Sequence, residues 1–231
     1  MPLHAAAGEA LRVGLSDDYP PLSYTDAQGR RAGFEYELAQ ALCRRLGRSC
    51  SWTFAPQEQL LRGLKDGRLD MIFAQRLEPE QAGLLYSRPY YHSRAMCVGR
   101  PGGRGPGDAG ARVGVYRGSA LEQYAAAAWP GAVIVSGSVG EMIAKLQRGE
   151  IDVLFINDIA GYAFLLRPEG QEFDRLEEVP TFTVQRTGGS RVAVGEGRER
   201  LLKAVDRELK RLLYSGELHN LSRIYFHYII Y

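Results

Sequence analysis

Two spacings of apolar residues alternate along this chain of 231 residues. Apolar runs of four or five residues have the length of buried strands, and between them apolar positions recur at the three-to-four spacing of one helix face. The pattern predicts a strand at Leu11–Leu15, a helix over 33–46, a strand over 51–54, a helix over 58–65 and a strand over 71–74. In the first helix Phe34, Leu38, Leu42 and Leu46 form the apolar face. Glu35 and Glu37 open it and Arg44-Arg45 close it, as the macrodipole favours, and Gly47 stops it. Pro20-Pro21 makes residues 17–21 a loop, and Asp26-Ala27-Gln28-Gly29 reads as a hairpin tip. A short helix is expected over 78–85, with Pro79 in its first turn. Beyond a Gly- and Pro-rich loop over 99–111, strands are expected over 113–116, 133–135 and 153–156, and helices over 120–128, 139–147 and 159–166. A return strand over 191–194 and an amphipathic helix over 200–213 follow, and the last stretch, 221–231, is rich in aromatics.

Two phrases occur in both halves in the same order. Leu11-Arg12-Val13-Gly14-Leu15 returns as Ala111-Arg112-Val113-Gly114-Val115, and Gly67-Arg68-Leu69-Asp70 returns as Gly149-Glu150-Ile151-Asp152. Strands alternating with helices imply parallel α/β sheets, and a doubled unit implies two similar lobes with a cleft between them. The chain leaves the first lobe around residues 90–98. Ligands of such sheets sit beyond the carboxyl ends of the strands. Four segments lie there, two from each half: 16–19, 74–76, 116–120 and 157–158.

Composition is ordinary for a globular protein, with 45% hydrophobic and 24% charged residues. A net charge of +2 gives no electrostatic case for nucleic acid or an anionic membrane, and no run approaches the roughly 20 apolar residues of a membrane span. Ala5-x-Ala7 has the form of a signal-peptidase site, or else belongs to a plain tail. Cys43 and Cys50 stand at a helix end and at the start of the strand it feeds, which can bring them within disulfide reach. A disulfide implies an oxidising compartment and agrees with the signal remnant. Cys97, in an apolar strand, reads as a buried free thiol.

Each candidate group at the strand ends has a functional and a structural reading. Gly118-Ser119-Ala120 opens a helix and suits a carboxylate, and Ser119 can at the same time cap that helix. Asp158 could meet a ligand ammonium or cap the helix that follows. Arg76, a cation at the end of an apolar strand, could clamp a carboxylate or be a solvated strand end. Tyr19 could offer its ring to a ligand or pack on its prolines. Catalysis finds little support. No nucleophile elbow or Walker loop is present, and His4, His92, His219 and His227 fall away from the strand ends with no metal-ligand spacing.

The chain resembles the periplasmic solute-binding proteins of polar amino acid ABC importers, nearest in pattern to the lysine/arginine/ornithine- and histidine-binding proteins. The resemblance rests on Tyr19-x-Pro21, Gly33-Phe34-x-x-x-Leu38, Cys43 with Cys50, Gly67-x-Leu69-Asp70, Tyr86-Ser87-x-Pro89-Tyr90-Tyr91, Val113-Gly114-Val115-x-x-Gly118-Ser119, Gly149-x-Ile151-Asp152, Asp158 and Tyr225-Phe226. It implies a two-lobed α/β fold of type II, with two parallel-type sheets joined by two crossover strands. Residues 1–93 and 189–231 would form the first lobe and 94–188 the second. It also implies a Cys43–Cys50 disulfide. Tyr19 would line the ligand's side chain, Ala74 and Gln75 would offer backbone groups, Ser119 would meet the α-carboxylate and Asp158 the α-ammonium, with Tyr116 beside them. The departures concern the cargo. Glu78-Pro79-Glu80-Gln81 replaces the family's Thr-Pro-Glu-Arg, leaving Arg76 as the candidate anchor. Ser16 stands at the acidic selector, Gln57 at an aromatic wall, and Ala120 where Thr is common. The implied protein is a monomeric periplasmic receptor of a small polar ligand that serves ABC permease subunits, with no cofactor, metal or nucleic acid. A ligand sensor for a signalling partner and a cyclohexadienyl dehydratase-like enzyme are the alternatives on this fold.

Overall fold

The computed structural model describes residues 10–75, 82–176 and 189–226. In the first part of the chain lie β1 (Leu11–Leu15), the hairpin strands β2 (Tyr24–Thr25) and β3 (Arg31–Ala32), α1 (Phe34–Arg45), β4 (Cys50–Phe54), α2 (Gln57–Lys65), β5 (Met71–Gln75) and β6 (Leu84–Tyr91). The middle carries β7 (Ala95–Gly99), β8 (Arg112–Tyr116), α3 (Ala120–Ala128), β9 (Val133–Gly137), α4 (Val139–Gln147), β10 (Val153–Asn157), α5 (Asp158–Leu165) and β11 (Asp174–Arg175). The end supplies β12 (Ser190–Gly195), α6 (Glu199–Tyr214) and α7 (Glu217–Tyr225). One five-stranded sheet has the order β4-β1-β5-β12-β6 and the other the order β11-β7-β10-β8-β9.

The doubled phrases become the same clasp in each lobe. Arg12 of β1 donates its backbone N–H (2.9 Å), Nε (3.1 Å) and guanidinium NH2 (2.9 Å) to the Asp70 carboxylate. Arg112 of β8 does the same to Asp152 at 2.9, 3.0 and 2.7 Å. The neighbouring guanidinium holds both carboxyls below their ordinary range against the opposing effect of burial. Gly14 and Gly114 occupy matching positions where no side chain fits. A Cβ on Gly14 would lie 2.8 Å from Leu60, and one on Gly114 2.4 Å from Ile151.

The parallel expectation holds for the heart of each sheet: β1 runs parallel to β4 and β5, and β8 parallel to β9 and β10. The strands that enter from the other lobe, β12 and β7, run the other way. β12 is antiparallel to β5 and β6, and β7 is antiparallel to β10. A strand arriving from the other lobe enters at the cleft end, toward which the parallel strands already point their carboxyl ends. Its direction must therefore oppose theirs. Residues 84–85 of the expected helix begin strand β6 instead, and 76–81 lie outside the described residues. Pro89 is accommodated because β6 is an edge strand. Residues 221–225 of the aromatic C-terminal stretch lie in a helix, α7, that its composition had not announced, and 227–231 lie outside the described residues.

α1, α6 and α7 lie together against the first sheet. Phe34 is fully buried there, its ring centroid 5.9 Å from Tyr91 and 5.0 Å from Phe226. Cys43 and Cys50 form the disulfide, with Cα atoms 6.2 Å apart. Closing so short a loop removes unfolded-state entropy worth about 2.5 kcal/mol. Cys43→Ala/Cys50→Ala is therefore expected to lower the urea-unfolding free energy by about 2–3 kcal/mol with the fold retained. No loss in a denaturation curve would contradict that. Cys97 is buried and free, and burial pushes its thiol pKa up.

Candidate functional site

Strand ends β1 and β5 in one lobe and β8 and β10 in the other point toward a common interface. After β1 the chain cannot continue as a strand, because Pro20-Pro21 intervenes. It folds into a tight loop tied by Tyr19 N–H to Ser23 O (2.7 Å) and by the Ser23 hydroxyl to Ser16 O (2.6 Å). That loop presents Ser16 and Tyr19, both buried.

The second lobe meets them directly. The Tyr116 ring stands 4.9 Å from that of Tyr19. Its hydroxyl donates to Ser16 Oγ at 3.2 Å and accepts the Gln57 backbone N–H at 3.3 Å. Asn157 Nδ2 donates to the Tyr19 hydroxyl at 2.8 Å. Burial raises the phenol of Tyr19 well above its usual pKa and pushes Tyr116 up to about 12. Both rings are neutral donors and acceptors at any physiological pH. The lobes are thus closed on one another, with Ser16, Tyr19 and Gln57 on one side and Tyr116 and Asn157 on the other.

Ser119 is the N-cap of α3. It accepts the Glu122 N–H at 3.2 Å and donates to Tyr116 O at 2.6 Å, while Glu122 Oε2 takes the Gly118 N–H at 2.6 Å. The structural reading of Ser119 therefore holds, and its hydroxyl is engaged within its own lobe. Ala120 packs against the first-lobe cluster of Leu60, Leu61 and Ile72, so it too belongs to the interlobe surface. Ala74 and Gln75 end β5, their backbones paired with Arg191 and Ser190. Arg76, Glu78, Pro79, Glu80 and Gln81 lie outside the described residues.

Of the two expected roles of Asp158, the structure assigns the cap to its neighbour. Asn157, not Asp158, caps α5, its Oδ1 accepting the Ala160 N–H at 2.8 Å. The Asp158 carboxylate turns to the interlobe crossing, where it accepts the Arg94 N–H at 3.0 Å while its own N–H donates to Arg94 O at 2.6 Å. Burial raises its pKa, opposed by the N–H donors. The cross-cleft contact of β10 belongs to Asn157, which the sequence reading passed over. One signal for it was available: Asn157 is the first polar residue after an apolar run and immediately precedes a helix.

A second missed residue is Glu35. It is buried, with Tyr90 donating to Oε1 at 2.6 Å and Tyr91 at 3.5 Å. Burial, outweighing those donors, raises its pKa to about 7. It lies where Tyr91 ends β6 and Ser190 begins β12, the two strands that connect the lobes. Among the described residues no group of three or more His, Cys, Asp or Glu is placed to hold a metal. No helix among them is long and apolar enough to cross a membrane.

Comparison with known proteins places this geometry in a family. The chain is 25% identical over 238 residues to the lysine/arginine/ornithine-binding periplasmic protein of Escherichia coli K12, covering 99% of this chain and 92% of that protein. It is 28% identical over 241 residues to the histidine-binding periplasmic protein of Salmonella typhimurium, covering 98% and 91%. The fold matches a Salmonella typhimurium periplasmic binding protein of high arginine specificity with a TM-score of 0.85, 22% identity and coverage of 94% and 99%. It also matches an ancestral amino acid-binding protein described as a precursor of cyclohexadienyl dehydratase, with a TM-score of 0.81, 21% identity and coverage of 94% and 95%. The sequence pattern of the bacterial extracellular solute-binding proteins, family 3, matches residues 11–228. Two lobes of doubled α/β design, closed over a buried polar seam at their strand ends, are the structural form of that match, and the chain belongs to the family 3 bacterial extracellular solute-binding proteins.

Proposed function

We propose that this protein captures a small polar, amino-acid-like ligand between its lobes, residues 1–93 with 189–231 and residues 94–188, and delivers it outside the cytoplasm to an ABC permease. The observation that carries this reading is the seam itself. Ser16, Tyr19 and Gln57 from one lobe and Tyr116 and Asn157 from the other are buried polar or aromatic groups that meet across the interface. Hinge closure brings such groups around a ligand and expels water, which strengthens each hydrogen bond. Asn157 would meet the ligand's polar head, with the turn at Ser119 and Ala120, the backbone at Ala74 and Gln75, and Arg76 as the candidate carboxylate cation. Asp158 would brace the crossing at Arg94 behind it. The side-chain end of the ligand would face Ser16 and Gln57, neither of them charged. That favours neutral polar amino acids and their derivatives over arginine or lysine, because a buried cation without a counter-charge costs several kcal/mol.

A thermal-shift screen of amino acids, opines, polyamines and small carboxylates tests this. A ligand at a hundredfold excess over its Kd stabilises by about 2.7 kcal/mol, which raises Tm by about 5–10 °C for a protein of this size. L-glutamine-like compounds are expected to exceed L-arginine. Asn157→Ala is expected to weaken the best ligand by roughly 10–100-fold in calorimetry, the cost of one buried hydrogen-bond partner. A screen in which no compound shifts Tm would remove the reading.

A further inference from the structure

The lobes also meet away from the seam. Asp18, beside Tyr19 in the first-lobe loop, lies on the first turn of α4 in the second lobe. The hydroxyl of Ser138, the N-cap of α4, donates to Asp18 Oδ2 at 2.6 Å while its oxygen accepts the Glu141 N–H at 3.0 Å. Two residues past that cap, within the first turn, stands Gly140. A Cβ built there would lie 2.5 Å from Asp18 Oδ2 and 2.8 Å from Oδ1. Only a residue without a side chain lets the carboxylate rest on this turn. Glycine is, after proline, the poorest helix former, so the helix gains nothing from having it there. The positive pole of α4 faces the carboxylate.

The loop that carries Asp18 is also held by contacts within its own lobe. The Arg31 guanidinium donates to Asp17 O at 3.1 Å and lies 3.8 Å over the Phe54 ring. Tyr19 and Ser23 bridge the base of the loop. Docking the acid therefore orders little that is not already ordered.

We propose that Asp18 is an interlobe latch, a positioning residue whose carboxylate docks on the N-terminal turn of α4 through the gap left by Gly140 and sets the population of the closed state. The proposal rests on lobe closure as read above but on none of the ligand assignments. Apparent affinity scales with the fraction of molecules in the binding-competent state, so a latch adjusts affinity for any ligand without touching it.

The test reads closure directly in the ligand-free protein. Nitroxide labels on Lys65→Cys and Ala127→Cys, exposed positions on α2 and α3, report the interlobe distance by pulsed electron paramagnetic resonance. The parent protein is expected to show a component at the closed distance. Gly140→Ala and Asp18→Ala are each expected to reduce that component on the order of tenfold, since each removes a charge-assisted contact made only in the closed state. Ser138→Ala is expected to fall between. Gly140→Ala improves α4 as a helix, so its Tm should be unchanged or higher, which separates lost closure from lost folding. If Gly140→Ala fails to fold, Asp18→Ala, in a loop, carries the same test. An unchanged closed component in Asp18→Ala, or none in the parent protein, overturns the latch. A barren ligand screen would remove the cargo reading and leave these distances as they are.

Discussion

Between pH 5 and pH 8 the protein is expected to lose stability, and Glu35→Gln is expected to abolish most of that loss. Glu35 is buried, and the groups that face it are the hydroxyls of Tyr90 and Tyr91, with the Ser190 hydroxyl buried beside them and lacking a well-directed hydrogen bond. Burial disfavours the carboxylate more than the tyrosines favour it, which raises the pKa from 4.5 to about 7. In the unfolded chain the carboxyl titrates near its ordinary value. Between these two values the folded state holds a proton that the unfolded state has released. Stability therefore falls as pH rises through that window and levels off above about 7. At 1.36 kcal/mol per unit the contribution lost is roughly 2–4 kcal/mol. Glutamine keeps the Oε1 acceptor for Tyr90 at no cost in charge. Urea-unfolding free energies at pH 5 and pH 8 check this. The difference between parent and Glu35→Gln isolates the one group, because the other titrating residues are common to both. Parallel pH profiles for the two proteins would refute the assignment.

The same residue shows what was legible in the sequence and what was not. Placing Glu35 in the first turn of α1 needed only local spacing, and the structure has it there. Its burial depends on Tyr90 and Tyr91, more than fifty positions later, and no local pattern reports that. The doubled phrases were legible because an Arg in a strand and an Asp after a Gly turn repeat in order, and each pair closes the same clasp. The helices over 120–128 and 139–147 were legible to the residue, since Ser119 and Ser138 cap them and their apolar faces are regular. β6 was not. Its alternation is broken by Pro89, and only its place at a sheet edge makes it a strand. At the end of β10 the sequence reading chose the charged residue, Asp158, over its neutral neighbour. Cap geometry adds that neighbour, because Asn157, the residue before the helix, reaches across to the Tyr19 hydroxyl while the Asp158 carboxylate accepts the Arg94 N–H. The latch at Asp18 joins a loop to a helix 120 positions away and is invisible to any local reading.

Of single substitutions in the seam, Tyr19→Ala is expected to have the largest effect on binding. The ring is 4% exposed and touches the second lobe twice, tilted against the Tyr116 ring with centroids 4.9 Å apart and through its hydroxyl to Asn157 at 2.8 Å. Truncating a buried aromatic costs about 3–5 kcal/mol. Part of that falls on the first lobe, where Tyr19 also packs in the core cluster with Leu22 and Phe34, and part on the closed seam. If half of it falls on closure, affinity for the compound found in the thermal-shift screen drops by roughly 10–70-fold. Tyr19→Phe separates the two shares. It keeps the ring and its packing but removes the acceptor of Asn157 Nδ2, leaving a buried donor unpaired at about 1–3 kcal/mol, so affinity should fall by about tenfold or more. Melting of the ligand-free protein reads the first-lobe share, and calorimetric titration reads the seam. Should Tyr19→Ala melt early yet bind with parental affinity, the ring is a core residue that happens to lie at the interface. A loss of affinity in both variants, graded as ring and hydroxyl are removed in turn, is the result required of a residue that the two lobes share.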